Sequence, residues 1–233
     1  MAMETLNVKH LSQSPQAGGF YVLNIELEQA PAGLAYRYLL PEAGIEAGLL
    51  QAQDTHLQLL SHTPLDSALL EKAAVKTVEG QSGQMPEKAF SETQQATLLL
   101  GSDLGIGPLL YAARRLSTAQ QTSIFALLHA SEAFPFVVKP AKFMASGLPL
   151  EAIGACPLLE DWKIPNRLSS DWGLPGCYEG GILALLTHWI ESGQNAQPTN
   201  WRIFSFLPAT INRECEKLLR DYDWINLHPF DMD

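Results

Sequence analysis

The chain has 233 residues, of which 46% are hydrophobic and 17% charged, and its formal net charge is −10. This is enough apolar material for a packed core in one large domain or two smaller ones, and it argues against disorder. The acidic balance argues against nonspecific nucleic-acid binding, which needs a basic footprint.

No run of about 18 apolar residues is present to span a membrane, and the opening MAMETLNVKHLSQSPQ lacks the apolar core of a signal peptide. The three cysteines, Cys156, Cys177 and Cys215, are far apart and form no C-x-x-C pair, so a zinc ribbon or a locally ligated iron–sulfur cluster is unsupported. A reducing cytoplasm is the expected setting.

Residues 1–95 read as β-structure. FYVLNIELE (20–28) alternates apolar and polar residues as a half-buried strand does. AGLAYRYLLP (32–41), THLQLLSH (55–62) and AAVKTVEG (73–80) also read as strands, and SALLEKA (67–73) as a short helical turn. Glycines and prolines punctuate them, which predicts a small antiparallel barrel.

From residue 96 to 233 strand-like and helix-like segments alternate, which predicts an α/β domain with a parallel sheet. TLLLG (97–101) is a buried strand, PLLYAARRLS (108–117) a helix with Pro108 in its first turn, and SIFALLHA (123–130) the next strand. Residues 131–176 are proline-rich and predict an irregular excursion with one helix and one strand ending near RLSSD (167–171). EGGILALLTHWIES (179–192) is a helix with Ile182, Leu185, Leu186, Trp189 and Ile190 on one face, stopped by Gly193. WRIFSFLP (201–208) is a strand. TINRECEKLLRDY (210–222) is a helix with Thr210 as N-cap, and Trp224 to Leu227 a last short strand.

The stretch that bears on function is LLLGSDLGIGPL (98–109): strand, a turn with Gly101, Gly105 and Gly107, then helix. Glycines at such a turn let backbone amides face a phosphate, and the helix dipole favours the anion. The same glycines equally serve a tight turn with close helix–strand packing. Asp103 bears on the choice. A carboxylate about 4 Å from a phosphate costs roughly 4 kcal/mol at an effective dielectric of about 20. The helix dipole returns only about 0.3–1 kcal/mol. Asp103 is also a good helix N-cap, so its side chain is expected on the amides a phosphate would use.

A small barrel followed by LLLGSDLGIGPLLYAARRL resembles the ferredoxin–NADP reductase superfamily, and within it flavoprotein electron-transfer subunits such as that of dihydroorotate dehydrogenase. In that family the turn reads G-G-G-x-G-[IL]-[AG]-P-L. Further landmarks fall in order: GQSGQMPEKAF (80–90), HASEAFPF (129–136), RLSSDWGLPGCYEGGILALL (167–186) and IFSFLPATINRECEKLL (203–219). The resemblance implies a six-stranded flavin-binding barrel, a five-stranded pyridine-nucleotide domain, FAD and NAD(P)H as cofactors, hydride transfer to flavin, and a redox partner protein. It implies that Gly101, Ser102, Asp103, Leu104, Gly105, Ile106 and Gly107 border the dinucleotide, with Ser169, Ser170 and Asp171 at the position of the family's T-D-D.

Four departures accompany it. The flavin clamp R-x-[YF]-[ST] has no counterpart in EAGIEAGLLQAQ (42–53). Ser102 and Asp103 replace two turn glycines. Phe206 and Leu207 replace the cysteine and glycine of the family's C-G-P. The four cysteines of a 2Fe–2S centre are missing. Two functions follow: an NAD(P)H-linked flavoprotein reductase or electron-transfer subunit, or a cofactor-free relative acting as a binding or scaffolding protein.

Six histidines are present and none forms H-E-x-x-H. His129, after a strand, is within reach of a cleft at the sheet's C-terminal edge but reads more simply as packing, as does His188. Cys177, in a loop before a helix, suits either a low-pKa thiol or an inert one. DYD (221–223) and DMD (231–233) read as solvated.

Overall fold

A computed structural model describes residues 5–71, 77–80, 96–118, 123–145, 147–192 and 200–233. GQSGQMPEKAF falls almost wholly outside them, as do residues 72–76 and Gly193.

The first module is a closed antiparallel barrel of β1 (Thr5–Pro15), β2 (Tyr21–Leu27), β3 (Arg37–Leu40), β4 (Ile45–Gln53), β5 (His56–Ser61) and β6 (Thr77–Gly80). Their order around the barrel is β1-β2-β5-β4-β3-β6, with β1 and β6 pairing to close it. Leu23, Ile25 and Leu27 alternate into the interior, as the period of two requires. Six strands agree with the expectation, and α1 (Ser67–Glu71) is the anticipated helical turn. Two strands were not anticipated: β1, and β4 across the segment where the clamp was sought.

The second module is a parallel sheet of six strands, one more than the resemblance implied. These are β7 (Ala96–Ser102), β8 (Ile124–Ala130), β11 (Asn166–Ser170), β12 (Tyr178–Glu179), β13 (Trp201–Leu207) and β14 (Ile225–Asp231). The order is β12-β11-β8-β7-β13-β14. Every residue of β7 and β13 is buried, which explains their predominantly apolar character, and the polar Thr97 and Arg202 are hydrogen-bonded to each other across the two strands. In the excursion, a two-residue hairpin pair, β9 (Lys139–Pro140) and β10 (Gly154–Ala155), accompanies the short helix α3 (Pro157–Asp161) and β11.

Helix α2 (Ile106–Thr118) lies between the modules, with Ile106 to Ala113 and Leu116 buried. One apolar cluster runs from the barrel through α2 to Leu99, Ala126 and Phe204 of the sheet. The opposite face of the sheet is covered by α4 (Ile182–Glu191) and α5 (Ala209–Leu219), through Leu185, Trp189, Cys215 and Leu219. The barrel and sheet therefore share a core.

From β7 the chain builds outward through β8 and β11 to β12. It then crosses to the other side of β7 for β13 and β14. This places a topological switch between β7 and β13, the crevice where open α/β sheets bind ligands. The glycine turn leaves β7 at that point.

Candidate functional site

The turn opens at Ser102 and continues as a 3-10 turn, Asp103–Gly105, into α2. Each of its three glycines faces protein. A Cβ on Gly105 would overlap the Phe206 carbonyl at the end of β13. One on Gly101 would lie 2.8 Å from Leu109 Cδ1, and one on Gly107 3.1 Å from the carbonyls of Gly48 and Leu49 in β4. On Gly48 itself, a Cβ would overlap the Leu104 carbonyl. Close backbone packing accounts for all of these glycines. Ile106 is fully buried, leaving Ser102, Asp103 and Leu104 facing open space.

Asp103 does not cap the helix. The N-cap position is Ser102, without a side-chain cap bond. The Asp103 backbone is left-handed at φ 49°. Its carboxylate turns toward the end of β8, where it accepts the Ser131 amide at 3.0 Å and the Ser131 hydroxyl at 2.5 Å. The expectation that it sits on the turn amides is therefore corrected: two donors on the neighbouring strand exit draw it sideways.

His129 does more than pack. It is opposite Ser169 in the β8–β11 register, and its Nδ1 shares a hydrogen bond with Ser169 Oγ at 3.0 Å. Its Nε2 lies 3.5 Å from Asp171 Oδ2. Ser169 and Ser170 are both fully buried, and Ser170 Oγ accepts the Trp172 amide. Of the T-D-D counterparts, only Asp171 reaches open space.

Two cavities share Ser102, Asp103, Ser131 and Pro208 as walls. The larger, about 630 Å³, lies where the barrel loop Gly18–Gly19 and His62 meet the ends of β7, β8 and β13, with Glu132 and Met232 completing it. The smaller, about 320 Å³, lies over the sheet edge, walled by His129, Asp171, Glu214 and the start of α4 at Gly181–Leu183. Each falls in the range of small-molecule sites. Gly18, at φ 63°, presses against the carbonyl of Phe134, so the segment after β8 closes the junction.

Carboxylates dominate the walls: Asp103, Glu132, Asp171 and Glu214, with no lysine or arginine among the described residues lining either cavity. The ring of His62 lies 3.8 Å from that of Phe20. Burial there holds its pKa below the usual value, against the opposing pull of Asp103 and Glu132. His62, Ser131, Glu132 and Glu214 carried no signal in sequence, because they converge only through the sheet order and the barrel's docking.

In the DMD segment Asp231 and Asp233 are exposed, as expected, while the methionine between them turns inward. Asn212 donates to Asp231 at 2.8 Å, Met232 is buried, and the Asp233 carboxylate accepts the Ala209 amide at 2.7 Å at the start of α5. The N-cap position is Pro208, and Thr210 lies inside the helix. His188 is exposed, edge-on to Tyr178. Burial pushes the Cys177 thiol up to about 11, so it is not an activated nucleophile. No group of His, Cys, Asp and Glu suited to a metal occurs among the described residues, and no helix among them is long and apolar enough to cross a membrane.

A closed six-stranded antiparallel barrel joined to a parallel sheet is the fold of two-domain reductases of the ferredoxin–NADP reductase kind. No family model matches the chain, and no curated protein matches it. Among solved structures it is similar to the cytochrome P450 reductase GcoB of Amycolatopsis, at 14% identity and a TM-score of 0.59, over 98% of this chain and 70% of that one. It is also similar to the flavohem-like FAD/NAD-binding domain of nitric oxide dioxygenase from Vibrio cholerae O1 biovar El Tor (12%, TM-score 0.55, 97% and 98%). Phthalate dioxygenase reductase is a third (11%, TM-score 0.54, 98% and 68%). At these identities the likeness is one of fold.

The residues present do not fit FAD held in the usual way. The clamp interval is β4, where Ile45, Ala47 and Leu49 are buried and a side chain at Gly48 would strike Leu104. Among the described residues, no lysine or arginine lines the cleft to meet a pyrophosphate.

Proposed function

We propose that the protein is an oxidoreductase of the ferredoxin–NADP reductase type, with residues 1–95 as the flavin-side module and 96–233 as the pyridine-nucleotide-side module. The observation that carries this is the cleft of about 630 Å³ where the barrel loop meets the switch point of the sheet. A ring system there would lie between the modules, which is the place electron transfer needs. Solved structures of the same fold include the cytochrome P450 reductase GcoB, phthalate dioxygenase reductase and the FAD/NAD-binding domain of a nitric oxide dioxygenase. The finer parts of the proposal are kinship to dihydroorotate-type electron-transfer subunits, NAD(P)H as donor, a redox partner protein as acceptor and a cytosolic setting. The first three rest on the LLLGSDLGIGPLL landmark and those that follow it, and the cytosolic setting on the three scattered cysteines.

For the dinucleotide, the anion-favouring element that faces the smaller cavity is the start of α4 at Gly181–Leu183, opposite Asp171 and Glu214. The absorbance spectrum of the isolated protein, followed by calorimetric titration with flavins and NADH, tests the reading. Flavin absorbance or flavin uptake is expected. A colourless protein that takes up no flavin and no NADH overturns it.

The acidic walls favour a second reading, a cofactor-free relative that binds or scaffolds another protein. A yellow protein as isolated disposes of that reading.

A further inference from the structure

The walls of the cleft sort ligands by charge. In the larger cavity Asp103 and Glu132 stand opposite His62, and the adjoining cavity adds Asp171 and Glu214. Asp103 has two donors in Ser131, yet its charge stays at the junction of the two cavities. Among the described residues lining this space, a phosphate meets carboxylates and no lysine or arginine, and the repulsion is strongest at low salt, where these partly exposed charges are least screened. The same carboxylates are good acceptors for hydroxyl groups. Leu104, Pro208 and Met232 supply apolar surface for a flat ring.

We infer that the cleft takes an uncharged heteroaromatic ring carrying a polyol, of the riboflavin class, in preference to the phosphorylated forms of the same ring. This rests on the oxidoreductase reading above and names its ligand. It reverses what the fold alone would imply, because the discrimination lies in the side chains of Asp103, Glu132, Asp171 and Glu214 and not in the backbone that the fold conserves.

The test is equilibrium titration of the full chain with riboflavin, FMN and FAD, followed by quenching of flavin fluorescence at low salt and neutral pH. Riboflavin is expected to bind at least tenfold more tightly than FMN or FAD. The double variant Glu132→Gln, Glu214→Gln alters two exposed side chains and is expected to fold normally. It should narrow the gap at least threefold by improving FMN, and added salt should narrow the gap in the wild type. FMN or FAD binding as tightly as riboflavin overturns the inference and leaves the oxidoreductase reading standing. A gap that neither salt nor the double variant moves overturns its electrostatic basis. If none of the three flavins binds, the inference falls, and the oxidoreductase reading falls with it when NADH is not taken up either.

Discussion

The carbonyl of Leu104, in the turn after β7, is seated against the α-carbon of Gly48 in β4, where a Cβ would overlap it. This contact joins the barrel to the sheet module, since α2 continues from the turn across β4. Gly48→Ala is expected to destabilise the protein by about 1–3 kcal/mol, because backbone and not a flexible side chain must yield. The thermal midpoint should drop by several degrees. Gly107→Ala meets the carbonyls of Gly48 and Leu49 at 3.1 Å, a milder crowding. There a helical backbone gains about 0.8–1.0 kcal/mol from alanine. Its midpoint should stay near that of the wild type, and equal losses in the two variants would contradict this account of the junction.

His62 gives the cleft a pH dependence. Its pKa lies below the ordinary 6.5 because of burial, with Asp103 and Glu132 opposing. A base with a depressed folded pKa contributes stability that is present above its unfolded pKa and is lost as pH falls through the folded value. The thermal midpoint of the wild type should therefore fall more steeply below pH 6.5 than that of His62→Gln. Protonation also places a cation in the cleft, so FMN should bind better in that acid range, and the gain should vanish in His62→Gln. Proton NMR of the imidazole reads the titration directly, and a midpoint above 6.5 would contradict the burial argument.

Burial pushes the thiols of Cys156 and Cys177 up to about 11 and that of Cys215 up to about 12. Only the thiolate attacks, so few molecules are reactive at pH 8. A chromogenic disulfide reagent at that pH is expected to label none of the three within minutes in the native protein and all three once it is denatured. Fast native labelling of Cys177 would restore the alternative of an activated thiol.

The sheet was legible because β7, β8 and β13 are mostly or wholly buried, so their sequences are predominantly apolar, interrupted only by Thr97, Ser102, His129, Arg202 and Ser205. β1 and β4 were not. β1 exposes much of its length and carries Lys9, His10 and Gln13. β4 contains Glu46 and Gly48, which weaken its strand pattern. For the site, the position of the glycine turn was readable, but the direction its glycines face was not. The groups they meet, Phe206 and Gly48, lie far away in sequence and arrive through β13 and the barrel. Likewise the pairing of His129 with Ser169 and Asp171 depends on the β8–β11 register, which no local pattern encodes. Asp103 looked like a cap because local rules assign it the nearest amides, whereas the exit of β8 offers Ser131 as a better partner.

Asp103→Gly separates the structural and electrostatic roles of that side chain. Its left-handed backbone, φ 49°, suits glycine, and relief there is worth about 1 kcal/mol. Against this stand two hydrogen bonds from Ser131 to a carboxylate, each worth about 1.5–3 kcal/mol. The bonds outweigh the relief, and a net loss of about 2–5 kcal/mol is expected in denaturant melts. Binding should move the other way. With the carboxylate gone, a phosphate approaching the turn meets Ser102 and Ser131 in place of a negative charge, so the affinity for FMN or a pyridine dinucleotide should rise by tenfold or more. Asp103→Asn keeps an acceptor for Ser131 and removes only the charge. It should hold stability closer to the wild type while gaining most of the affinity. If both variants bind anionic ligands no better than the wild type, the charge of Asp103 is not what excludes them, and packing of the turn against Gly48 and Phe206 is the barrier instead.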